Sequence, residues 1–362
     1  MNELLVNLSM VFSQPTGISN YALNLFPHLK PLTPTLLTVQ DYPEFQCEPV
    51  PNNLTPAQGS KGHLRRLIWT QLQLPQIYQK LAAKLLFSPL PEAPLFTNCR
   101  YIIQVHDLIP LRFPNWRSPL TNYTRYYVPE ILTQAQHIIC NSHSTAKDIT
   151  EFYKIPASKI TPVLLAYDSN HFRPFPEKLE KDANRKPYFL YLGRHDKYKN
   201  INRLVTAFAA LPNNQDYELW LAGPTDRRFT PNLRVQIAEL GISKRVKILD
   251  YVIYSELPKI ISNALAFVFP SLWEGFGFPV LEAMACGTRV ITSNLSSLPE
   301  VTSNAAILIN PYNVQEITAA MQEIADDRKL HDKLSQLGLL RAKQFSWEKT
   351  GLATVEILKK FI

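Results

Sequence analysis

The chain has 362 residues, of which 46% are hydrophobic and 19% charged, and it carries a formal net charge of +8. Such a length exceeds what one hydrophobic core usually organises and predicts two domains, at roughly 150 residues for each, while the composition excludes a disordered or fibrous chain. The positive charge attracts anions in general and does not by itself choose among nucleotide phosphates, anionic lipid headgroups and nucleic acid.

In chain order, the opening MNELLVNLSMVF lacks a basic leader and has its apolar residues broken by Asn7 and Ser9, so Leu4 to Leu8 reads as a first strand rather than a signal peptide. Ile18, Ala22, Leu25, Phe26 and Leu29 then recur at helical spacing. Apolar runs at 36–39, 85–87, 101–105 and 137–140 predict further strands, alternating with helical patterns as in a parallel sheet with crossover helices. The proline-rich stretches 49–56 and 89–94 read as surface connections. Lys61, His63, Arg65 and Arg66, followed by Lys80 and Lys84, read as a solvated face, with an anionic membrane as the alternative. No stretch approaches the roughly 20 uninterrupted apolar residues of a spanning helix, so membrane contact is expected to be peripheral and the protein cytoplasmic.

The polar, proline-bearing stretch 168–187 lacks apolar periodicity and is read as the linker. A second series of strands follows at 188–192, 218–222, 246–249, 266–269 and 289–292, then helical patterns over 314–345 and 347–361, with Ser346 placed to cap the last. The fold class is α/β, with two Rossmann-like doubly wound domains facing a cleft. The expected domains are 1–167 and 168–345, with a last helix, 346–362, crossing back to the first. Cys47, Cys99, Cys140 and Cys286 are widely spaced and suggest neither a zinc site nor a disulfide framework.

Ligands of open α/β sheets bind beyond the carboxyl ends of the strands, so the strand-to-helix loops carry the candidate residues. The strand ending at Phe269 runs into Glu274, Gly275, Phe276, Gly277 and Pro279, with Gly287 beyond; this predicts a short helix, 279–286, whose amino end favours a phosphate. Glu282 is expected in its first turn. Two acids so spaced suit the vicinal hydroxyls of a ribose and a sugar, with the phosphates on the amides between; the plainer reading is a dipole partner and a solvated acid. After the strand YFLYL come Gly193, Arg194 and Lys199, two cations that suit a diphosphate, and Asn200 reads as the cap of the next helix.

The segment EGFGFPVLEAMACGTRVI resembles the E-x7-E motif of family 4 of the retaining glycosyltransferases, which have the GT-B fold, and Gly193 to Lys199 resembles the family's G-R-x4-K pattern. The resemblance implies that Glu274 contacts the transferred sugar and Glu282 the nucleotide ribose. Phe276 and Gly277 would offer amides to the sugar, Leu281 would lie near the nucleotide, and Arg194 and Lys199 would meet the diphosphate. LWLAGP resembles the turn that places Gly223 beneath the donor, and Asp250 to Val252 the loop whose backbone reads the base.

In the first half, Gly17 occupies the place of the family's paired glycines near the diphosphate, with Thr16 in the other place. His106, at the end of strand YIIQV, matches a histidine that approaches the reacting carbon; Asp107 beside it is as readily structural. Ser142 and Ser144 read as caps or ligands before the linker. The implied function is retaining transfer of a hexose from a nucleotide sugar, UDP-glucose first and GDP-mannose second, to a glycan or lipid-linked glycan of a bacterial surface polysaccharide. No DxD motif occurs, so neither metal nor cofactor is expected, and nucleic acid is not expected as a partner. A dinucleotide enzyme is disfavoured because no G-x-G-x-x-G occurs. A sugar phosphorylase, a sucrose-phosphate-type synthase and a non-catalytic sugar-nucleotide-binding protein are the alternatives.

Overall fold

A computed structural model describes residues 3–11, 17–175 and 186–362. The chain divides into two compact units, Met1–Leu165 with Trp347–Ile362, and Ala166–Ser346. Part of the stretch read as a linker, 176–185, lies outside the described residues.

The first unit is built on a seven-stranded parallel sheet: β1 Leu4–Asn7, β2 Thr35–Thr38, β3 Gln46–Pro49, β4 Leu85–Ser88, β5 Tyr101–Val105, β6 His137–Cys140 and β7 Ile160–Pro162, in the order β3-β2-β1-β4-β5-β6-β7. The central strands read LLVN, LLFS and YIIQV and are buried throughout, because helices cover both faces and leave no solvent side to alternate toward. The edge strand β3, QCEP, is largely exposed, and its charge and proline suit an edge. The helix Trp347–Lys359 belongs to this unit: Thr350 Oγ1 donates to Leu164 O at 2.7 Å, and a Cβ on Gly351 would stand 2.3 Å from His28 Cβ. Only glycine lets that helix approach the Phe26–Leu32 turns so closely.

The second unit holds a six-stranded parallel sheet: β8 Tyr188–Leu192, β9 Glu218–Ala222, β10 Val246–Leu249, β11 Ala266–Phe269, β12 Val290–Ser293 and β13 Ile307–Ile309, in the order β10-β9-β8-β11-β12-β13. The chain winds to one side of β8 and returns to its other side at β11, so the loops after β8 and β11 adjoin at a topological switch point. In the first unit the same reversal falls between β1 and β4.

Three expectations are corrected. The connection 89–94 is mostly interior rather than surface, with Glu92 and Ala93 fully buried, because Glu92 pairs with a buried cation. The pattern 314–345 forms two helices, Val314–Asp326 and Arg328–Ala342, because Asp327 is extended and its carboxylate accepts from the amides of Lys329 and Leu330. The cation of that pair, Arg66, is interior, so it is no part of a solvated face. Among the described residues no helix is long and apolar enough to cross a membrane, and all four cysteines are free thiols.

Candidate functional site

At the switch point of the second unit, the loops after β8 and β9 meet backbone to backbone. Gly193 N donates to Ala222 O at 2.9 Å, and Gly223 has φ of +135°. A Cβ on Gly223 would lie 2.2 Å from Gly193 O, so no side chain fits there.

The β8 loop then forms the turn Lys197–Lys199, and Asn200 enters the left-handed region at φ +62°. In that conformation its side chain does not cap the helix Ile201–Ala209, contrary to the expectation. Its Nδ2 instead donates to Pro270 O at 3.0 Å and Pro311 O at 2.6 Å, while its Oδ1 accepts from Arg203 at 2.8 Å. Asn200 thereby ties together the segments after β8, β11 and β13. Leu272 N donates to Tyr198 O at 2.8 Å, which fixes the turn against the start of the β11 loop. Lys199 is thus held over that loop, its Nζ 2.6 Å from Glu274 Oε1. Burial works to lower the Lys199 pKa, but the Glu274 carboxylate more than offsets it, so the ammonium is held charged.

The β11 loop is supported from beyond β12. Glu274 N donates to Ser296 Oγ at 3.1 Å, and the Ser297 hydroxyl reaches Glu274 O at 3.0 Å and Phe276 O at 2.7 Å. Gly277, at φ +114°, turns the chain into the helix Phe278–Ala285, which carries Pro279 near its start and is followed by Gly287 at φ +75°. Glu282 is the fifth helical residue, one residue further in than expected, which takes it out of the first turn, and therefore it does not complement the amino end of the dipole. It is half-buried, and its pKa is pushed up to about 8, first by burial and then by the nearby Asp168 charge. Near neutral pH it is a protonated acid rather than the charged acceptor suggested by its spacing. Leu281 and Phe276 are interior, and Gly275 is buried between Glu274 and Phe276.

Arg194 is exposed and pairs with Asp196 at 3.0 Å. The β8 loop therefore separates its two cations, one interior and paired with Glu274, the other at the surface. Val252, in the loop after β10, is half-buried.

In the first unit, His106 follows β5 and its Nε2 donates to Pro89 O at 2.8 Å, which leaves Nδ1 as the acceptor. Burial lowers its pKa to about 4, so it is neutral. Tyr21 meets the imidazole edge to face at 4.9 Å and donates its hydroxyl to Gln104 Oε1. Asp107 accepts from Ile109 N at 3.0 Å and so caps the following turn. His106 lines a cavity of about 320 Å³ together with Asp107, His63, Arg66, Glu92 and Tyr123. In its wall Arg66 grips Glu92 through two bonds, Nε to Oε2 at 2.7 Å and Nη2 to Oε1 at 2.8 Å. Gly17 opens the helix Gly17–Leu25 where a side chain would meet nothing, and Thr16 lies outside the described residues. Ser142 caps the helix His143–Tyr153, its hydroxyl accepting from Thr145 N at 3.0 Å.

The model of the family described as glycosyl transferases group 1 matches residues 174–339, and that of glycosyltransferase family 4 matches residues 15–170. O-antigen chain mannosyltransferase B of Escherichia coli is 32% identical over 269 residues, 72% of this chain and 70% of that one. The chain belongs to the glycosyl transferases group 1. O-antigen chain mannosyltransferase RfbU of Salmonella typhimurium is 27% identical over 345 residues, 92% of this chain and 93% of that one. The fold of this chain is that of the GT-B glycosyltransferases. Sucrose-phosphate synthase of Thermosynechococcus elongatus superposes with a TM-score of 0.76 at 20% identity, covering 99% of this chain and 98% of that one. HepE of Anabaena, in complex with UDP and glucose, gives 0.76 at 17% identity, covering 99% of this chain and 100% of that one.

Within this group 1 glycosyltransferase, three contributors went unread in the sequence and a fourth, Asn200, was read only as a helix cap. Ser296 and Ser297 hold the Glu274 loop, Asn200 clasps three segments, and Asp168 raises the Glu282 pKa. The serines carried a usable signal, polar residues just past the strand Val290–Ser293. Asp168 carried none, because it stands far from Glu282 in sequence.

Proposed function

We propose that the protein transfers a hexose, with retention of anomeric configuration and without a metal, from a nucleotide sugar to a glycan or lipid-linked glycan of a bacterial surface polysaccharide. The observation that carries this reading is the Lys199–Glu274 pair at the switch point, with Glu282 in the second turn of the helix that follows. GDP-mannose moves ahead of UDP-glucose as the donor, because the O-antigen relatives of both enteric bacteria are mannosyltransferases.

Lys199 engages Oε1 of Glu274, and the carboxylate's other oxygen is assigned to hydroxyls of the sugar. Glu282, protonated near neutral pH, both donates to and accepts from the vicinal hydroxyls of the ribose. In the reaction the bond between the anomeric carbon and the diphosphate oxygen breaks, and its electron pair stays on the diphosphate. The acceptor oxygen bonds to that carbon on the same face and passes its proton to the departing diphosphate. Arg194, Lys199 and the amides at the start of the helix Phe278–Ala285 support the developing charge. His106, neutral and with Nδ1 open, is assigned a hydroxyl of the substrate.

Purified protein incubated with labelled GDP-mannose or UDP-glucose and lipid-linked oligosaccharide, in the presence of chelator, tests this. The expected product is an α-mannoside by proton NMR, formed equally well with chelator. Neither transfer nor donor hydrolysis with any sugar nucleotide would remove the reading; a β-linked product would remove retention.

A further inference from the structure

The helix Gly59–Leu72 buries Gly62, Arg66, Trp69 and Thr70. At about 100° per residue, Lys61, Leu64, Arg65, Ile68 and Leu72 fall within one sector of about 100° on the opposite side. The outer face of such a helix is ordinarily polar. Here Leu64, Ile68 and Leu72 are 58%, 50% and 63% exposed, a continuous apolar stripe one turn apart. Phe96, 82% exposed, adjoins its far end, because the neighbouring Leu95 amide donates to Gln71 Oε1 at 2.9 Å. Single exposed apolar residues need no explanation; a row of them does.

The charge of this face selects its occupant. Residues 49–91 contain Lys61, Arg65, Arg66, Lys80 and Lys84 but no aspartate or glutamate. Arg66, Lys80 and Lys84 are paired with Glu92, Glu48 and Glu3. Lys61 and Arg65 have no acidic partner among the described residues; Arg65 is bonded to Gln58 Oε1 at 3.0 Å. An apolar row beside two such cations complements an anionic lipid surface, where apolar side chains enter the headgroup boundary and cations meet phosphates. A second copy suits it poorly, since a two-fold interface would set this acid-free, cationic face against itself.

We propose that the face formed by Lys61, Leu64, Arg65, Ile68, Leu72 and Phe96 docks on an anionic bilayer. This goes beyond the transferase reading and stands or falls without it. Sedimentation with vesicles of phosphatidylcholine, alone or mixed with phosphatidylglycerol, tests it without any sugar. Wild type is expected to bind the mixed vesicles and to leave the neutral ones. Lys61→Gln/Arg65→Gln is expected to weaken binding roughly twenty-five-fold at low salt, from two cations each worth about fivefold. Leu64→Gln/Ile68→Gln/Leu72→Gln is expected to weaken it by more than about tenfold. All these side chains are exposed, so both variants should unfold thermally as wild type does. No preference for anionic vesicles, or undiminished binding by both variants, would overturn the proposal. So would a wild-type dimer that the triple variant converts to monomer, since a second copy would then cover the stripe.

Discussion

Lys199 Nζ and Glu274 Oε1 stand 2.6 Å apart, and the two side chains are only 12% and 11% exposed. Each therefore neutralises the other in the interior, and removing one leaves a buried charge alone. Lys199→Met and Glu274→Leu should each cost about 3 kcal/mol or more in urea unfolding. The double variant should lose clearly less than their sum. Both single variants should also abolish donor hydrolysis, so restored stability without restored activity is the expected signature of the double.

Glu282 makes stability depend on pH. Its folded pKa, about 8, exceeds the ordinary carboxyl value of 4.5, so the folded state holds the proton where the unfolded state has released it. Its contribution is complete below pH 4.5 and is lost as pH rises through about 8. Replacing it by Gln, which stays neutral, should remove this loss: the urea midpoint of Glu282→Gln should gain on wild type between pH 5 and 8. Nucleotide binding near pH 7 should survive in Glu282→Gln and fail in Glu282→Ala.

His106 acts with the opposite sign. Burial lowers its pKa from 6.5 to about 4, so its contribution is present above pH 6.5 and is lost as pH falls through about 4. Relative to wild type, His106→Asn should show a shallower acid limb over that window in urea midpoints. The pH–rate profile between pH 5 and 8 should show no inflection owed to this residue.

The Arg66–Glu92 pair tests a different physical effect. Arg66 also donates to Leu54 O at 3.0 Å and to His63 Nδ1 at 2.8 Å, so its fork closes four bonds that lysine cannot reproduce. Arg66→Lys should cost about 2 kcal/mol and Arg66→Met about 3–5 kcal/mol in urea unfolding, with the Glu92 carboxylate left unpaired. Arg66→Met/Glu92→Leu should recover much of the latter. Nucleotide binding should be unaffected in all three.

The parallel strands were legible because burial on both faces makes LLVN, LLFS and YFLYL continuous apolar runs. The edge strand β3 was not, since QCEP is largely solvated and carries no pattern. Proline and glycine marked the helix Phe278–Ala285 to within one residue, yet a one-residue shift sufficed to take Glu282 out of the first turn. Composition misread 89–94 because its prolines suggest surface, while Glu92 is drawn inward by Arg66, a partner 26 positions earlier. Side-chain state was least legible: neither the protonated Glu282 nor the Lys199–Glu274 pair has a local signal, as both depend on segments brought together by the sheet.

The division of labour between Glu274 and Glu282 is most directly tested by calorimetric titration of GDP and UDP into wild type, Glu274→Ala and Glu282→Ala. The expected result is binding of one nucleotide by wild type, retained within about threefold in Glu274→Ala and lost by more than about tenfold in Glu282→Ala, the loss of two neutral hydrogen bonds of about 1 kcal/mol each. Binding of neither nucleotide by wild type, or undiminished binding by Glu282→Ala, would contradict it.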